Sequence, residues 1–108
     1  MPYFLHQIAY TSEGWAALAK KPQNRVEAVR PAFEKLGGKI ESAFFSFGEY
    51  DIVIISQFPD QIAAAAMAVA VGAGGACKSV VTTPLLTAEE AVQAMKKAGA
   101  TGYRPAKK

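Results

Sequence analysis

Two β-prone runs, Lys39 to Phe47 and Asp51 to Phe58, stand on either side of Gly48-Glu49. A two-residue loop with glycine first suits a type II′ hairpin turn, whose first central residue has a positive φ. Nothing else in the chain constrains the fold so tightly, because such a turn sets strand direction and register together. Phe47 is then expected opposite Tyr50, Ser46 opposite Asp51, Phe45 opposite Ile52 and Phe44 opposite Val53. One face carries Phe45, Phe47, Tyr50, Ile52 and Ile54. The other carries Ile40, Ser42, Phe44, Ser46, Asp51, Val53, Ile55 and Gln57. Both faces are substantially apolar.

The rest of the chain supplies one unit before the hairpin and one after it. Tyr3 to Tyr10, rich in aromatic and branched residues, reads as a first strand. Thr11-Ser12 offers a cap for a short helical turn through Leu18. Pro22 suits the first turn of a main helix, whose apolar stripe is Val26, Val29, Phe33 and Leu36. Pro31 inside that stripe predicts a kink or break, since its ring clashes with the Glu27 carbonyl. Gly37-Gly38 supplies the left-handed stop. After the hairpin, Asp60 caps a helix from Gln61 that is apolar on every side through Val71. A helix with no wet face is usually covered all round, which a domain this small does not manage alone. Gly72 to Gly75 ends it, and Lys78 to Thr83 forms a last strand. Thr87-Ala88-Glu89-Glu90 is a capping box for a final helix through Val92, Met95 and Ala98, closed by Gly99.

The order strand, helix, strand, strand, helix, strand is the split βαβ arrangement, so the fold class is α+β, ferredoxin-like, with an extra C-terminal helix. Residues 1–99 form a single domain, and 100–108 a loosely ordered basic tail. The first and third strands are central. Helices cover one face of the sheet, and the other face, with Phe44, Val53 and Ile55, leaves an apolar patch that soluble monomers rarely expose. Two sheets packed face to face give a dimeric α/β barrel with a small interior between subunits.

Gly48-Glu49-Tyr50-Asp51, preceded by Leu36-Gly37-Gly38-Lys39-Ile40 and followed by Pro59-Asp60, resembles the GYD domain family. The likeness runs from about Tyr3 to Leu86. It implies a ferredoxin-like fold and a dimeric α/β barrel, and no established activity.

Composition excludes more than it assigns. The chain has twelve basic and nine acidic residues. Arg104, Lys107 and Lys108 lie in a tail without acids, which leaves the body balanced and without the basic concentration of a nucleic-acid surface. An RNA-recognition strand needs basic and aromatic residues, and Ile52-Val53-Ile54-Ile55 has neither. The uncharged run from Gln61 to Cys77 is short for a membrane span. No secretory signal opens the chain, so the cytoplasm is the expected location. One cysteine allows no internal disulfide. One histidine and one cysteine are too few for a zinc site, and no cofactor is implied.

The glycine-rich segment from Gly72 to Ser79 approaches a phosphate-binding loop. However, Cys77 replaces its last glycine, and the segment runs helix to strand. Ser42, Ser46, Ser56 and Ser79 become nucleophiles only with a base beside them. Lys78 is placed to lower the pKa of Cys77, although a structural thiol is the simpler reading. Two catalytic candidates remain. His6 shares strand parity with Phe4, Ile8 and Tyr10, and is either a hydrogen-bonded structural residue or an acid–base group. Asp51 either satisfies backbone amides near the turn or, at an apolar barrel mouth, has its pKa raised toward that of a general base. Tyr10, Trp15, Phe44, Ser46 and Tyr50 are the candidate ligand contacts. The leading expectation is an oligomer, a homodimer or larger, that binds a small, largely apolar ligand between subunits. The alternatives are a cofactor-independent enzyme of monooxygenase or isomerase type in the same cavity, and a structural assembly unit.

Overall fold

The computed structural model describes residues 1–106. Its elements are β1 (Tyr3–Tyr10), α1 (Ser12–Lys20), α2 (Arg25–Lys35), β2 (Lys39–Phe45), β3 (Ile52–Gln57), α3 (Gln61–Ala73), β4 (Cys77–Leu85) and α4 (Ala88–Gly99). The four strands form one sheet in the order β2-β3-β1-β4, with every pair antiparallel. This is the ferredoxin-like α+β arrangement, with β1 and β3 central as expected. Among the described residues, no helix is long and apolar enough to cross a membrane.

Side chains close the helix starts where orphan N–H groups need acceptors. Thr11 accepts from the Gly14 amide, Asn24 from Glu27, Asp60 from Ala63 and Thr87 from Glu90. The Glu90 carboxylate accepts in turn from the Thr87 amide, which completes the capping box. Because Asn24 is the cap, α2 begins at Arg25 and Pro22 lies before the helix, not in its first turn. The expected break at Pro31 does not occur. α2 runs through to Lys35, although Pro31 has no N–H to offer the Glu27 carbonyl, and Phe33 beyond it is buried in the core. Gly37, at φ 79°, provides the stop. The first helix is a full element of nine residues rather than a short turn. α4 closes on Ala100, one residue past the expected stop.

The hairpin is paired as its sequence predicts, but its end and its far half differ. Phe45 faces Ile52 and Phe44 faces Val53. The strands stop there, and Gly48 does not take the positive φ of a type II′ turn. Ser46 closes a wider loop instead: its amide donates to the Asp51 carbonyl at 2.9 Å and its hydroxyl to the Tyr50 carbonyl at 2.6 Å. Phe47, placed opposite Tyr50 by the simple turn, is 97% exposed. Between Ile40 and Ser42 the register shifts by one residue. This bulge moves Ile40 off the Phe44 face and onto the helix-covered face, where it packs against the core.

That core consists of Phe4, Ile8, Ile52 and Ile54 from the central strands, Phe33 from α2, Phe58, and Ala64 and Met67 from α3. α2 lies over β2 and α3 over β4, without extensive contact between the two helices. A gap therefore opens above the middle of the sheet. Among the described residues, α4 has no buried residue and no extensive contact with the other elements. The radius of gyration is 17.3 Å, well above the roughly 13 Å of a compact chain this long.

Candidate functional site

The gap between the helices is a cavity of about 390 Å³. Its floor is made by side chains of the central strands that point toward the helices: His6, Ile8, Ile52 and Ile54. Phe33 and Val29 of α2, Met67 and Val71 of α3, and Leu18 of α1 form the walls, while Arg25, Gln23, Tyr10 and Cys77 also line it. The lining includes Ala17 of α1 and Ala68 and Ala70 of α3, whose short side chains leave space that longer ones would fill. It lies beneath the helices, on the opposite side of the sheet from the interior expected between subunits. A shallower depression between α2 and the edge strand β2 includes Phe44.

His6 is 3% exposed and sits against the rings of Phe33 and Phe58, at centroid distances of 5.6 and 6.0 Å. Its Nε2 is 2.6 Å from the Ser56 hydroxyl and its Nδ1 is 3.3 Å from the Thr82 hydroxyl. Desolvation lowers its pKa from 6.5 to about 4, so the ring is neutral at physiological pH. A base does stand beside Ser56, the pairing that a nucleophile requires. But Ser56 is fully buried and does not line the cavity, so it has no route to a substrate there. The sequence does hold a signal for this pair. His6 and Ser56 are both polar and share the buried parity of strands that prove to be neighbours, and buried polar groups find partners.

Asp51, Tyr10 and Trp15 come together at one end of β1. The Asp51 carboxylate oxygen Oδ2 accepts from the Tyr10 amide at 2.8 Å and from the Trp15 indole at 3.2 Å, and the Trp15 ring meets Tyr10 edge to face at 5.2 Å. The acid of the Gly-Glu-Tyr-Asp turn thus ties the hairpin end to β1 and α1. Tyr10 lines the cavity; Trp15, Ser46 and Tyr50 do not.

Cys77 is half-buried at the cavity wall, and burial raises its thiol pKa, with nearby Arg25 opposing the shift and Asp51 reinforcing it. Lys78 therefore does not activate it. Burial likewise raises the Tyr10 phenol, with Cys77 adding to the shift and Arg25 opposing it. Among the described residues, no group of three His, Cys, Asp or Glu side chains is placed to hold a metal ion. Lys107 and Lys108 of the expected basic tail lie outside the described residues.

The fold and the cavity define a ferredoxin-like α+β domain with a ligand-sized space under its helices. The chain belongs to the GYD domain family, whose sequence model matches residues 4–95. The match extends past Leu86 to residue 95, within α4. Comparison with curated proteins and with solved structures returns no match.

Proposed function

We propose that the protein binds a small, largely apolar molecule in the cavity beneath its helices, and that it does so as a homodimer or larger assembly. The observation that carries this reading is the cavity itself. About 390 Å³ lined largely by Ile, Val, Leu, Met and Phe side chains falls within the range of small-molecule sites. Self-association is supported by surface that one chain leaves uncovered. The outer side of α3 exposes Ile62 and Val69, α4 exposes Val92 and Met95, and the open sheet face exposes Phe44. The enzymatic alternative gains nothing from His6, whose two ring nitrogens both face hydroxyl groups within the fold.

The test is native mass spectrometry of the purified protein, followed by thermal denaturation with a panel of apolar compounds. A retained ligand mass, or stabilisation that Leu18→Trp abolishes by filling the cavity, is the expected result. A protein that carries nothing, and whose melting no compound shifts, rejects the reading.

A further inference from the structure

Among the described residues, Arg25 is the cavity lining's one side chain that is charged at neutral pH, since His6 is held neutral. It stands at the first position of α2, the positive end of the helix dipole, where a cation is unfavourable and an anion is favoured. It makes no ion pair among the described residues; its guanidinium donates to the Gln23 side-chain oxygen at 3.0 Å and lies close enough to the Tyr10 phenol oxygen to lower that group's pKa by hydrogen bonding. The acids best placed to neutralise it are occupied. Glu27, two residues along, pairs with Arg30 through two bonds of 3.0 and 3.2 Å. Asp51 accepts from Tyr10 and Trp15 and does not line the cavity. Arg25 is half-buried as a residue, with its guanidinium at the cavity rim, where it bonds the exposed Gln23 and lies beside the Tyr10 phenol.

We infer that the ligand is an apolar molecule ending in a carboxylate, with its body over Ile8, Ile54 and Met67 and its head bound by Arg25. This rests on the ligand-binding reading above and adds the head group to it. A carboxylate matches the planar fork of a guanidinium, and a charge-assisted bond of this kind is stronger than a neutral one. The Gln23 amide and the Tyr10 hydroxyl are further donors on the same lining.

Three probes with one body separate the possibilities: decanoate, 1-decanol and decylammonium, titrated calorimetrically near neutral pH. Wild-type protein is expected to bind decanoate roughly tenfold or more tightly than 1-decanol, the discrimination of one charge-assisted contact. Arg25→Gln is expected to erase that preference by weakening decanoate far more than 1-decanol. Equal binding of acid and alcohol, a preference for the ammonium, or an acid preference that survives in Arg25→Gln overturns the inference. In any of those cases, 1-decanol binding that Leu18→Trp abolishes leaves the cavity reading standing. If none of the three binds, the cavity reading falls and the head-group assignment with it.

Discussion

Acidification is expected to remove about 2.5 kcal/mol of stability through His6 alone between about pH 7.5 and 4.5. The imidazole is enclosed by Phe33 and Phe58, and burial lowers its pKa from 6.5 to about 4. In the unfolded chain the ring returns to its ordinary value. Between the two values the unfolded chain binds a proton that the folded chain refuses, so stability falls as the pH drops. The contribution is fully present above about pH 6.5 and is lost on the way down to the folded value. At 1.36 kcal/mol per pKa unit the whole separation is worth about 3.4 kcal/mol, of which about 2.5 lies in the stated window.

Carboxylates titrate in the same window, so the comparison needs a variant. His6→Gln keeps a polar side chain with no ionisation. Urea denaturation at fixed protein concentration and ionic strength gives the stability of both proteins at the two pH values. The wild type should lose about 2.5 kcal/mol more than the variant, whatever the variant's absolute stability. Since His6 is the chain's only histidine, its ring protons also report directly by NMR and should hold their neutral shifts down to about pH 5. Parallel losses in the two proteins, or a ring that titrates near 6.5, refute the reasoning.

Asp51→Ala leaves the Tyr10 amide and the Trp15 indole without their acceptor and is expected to cost about 2 to 4 kcal/mol. Asp51→Asn retains an acceptor oxygen and should cost less; urea denaturation followed by Trp15 fluorescence measures both. Gly38→Ala brings a Cβ within 2.5 Å of the Phe58 ring and 2.6 Å of the Gln57 carbonyl oxygen. It should lower the melting temperature sharply or prevent folding. Gly48→Ala, with no atom within 4 Å of the added carbon and no positive φ, should be close to neutral. A large loss there would restore the type II′ turn.

The fold was legible because its signals are local. Caps at Thr11, Asp60 and Thr87 and the stop at Gly37 each follow from one side chain and the backbone groups beside it. The hairpin register near Phe44 and Phe45 was legible for the same reason. What alternation alone misses is the bulge beside Glu41, because one inserted residue reverses facing for everything beyond it, and Ile40 moved with it. The cavity is harder still. It depends on how far α2 and α3 splay over the sheet, which reflects the packing of Ala-rich surfaces and has no sequence period. His6 and Tyr10 belong to its lining as central-strand residues, but Arg25, beside the apolar stripe of α2, carries no pattern that sets it apart from other surface charges. Its significance needed the knowledge that Glu27 turns to Arg30 and Asp51 to Trp15.

The isolation of α4 bears on exchange kinetics. A helix of twelve residues is marginal in water by itself, and a capping box adds only about 1 kcal/mol. In a lone chain its amides should exchange with deuterium almost as fast as those of a peptide, while β1, paired on both sides, stays protected. Any slowing in α4 thus measures the occupancy of whatever lies against it. If that neighbour is another copy of the chain, protection in this one helix rises with protein concentration while the central strands remain unchanged.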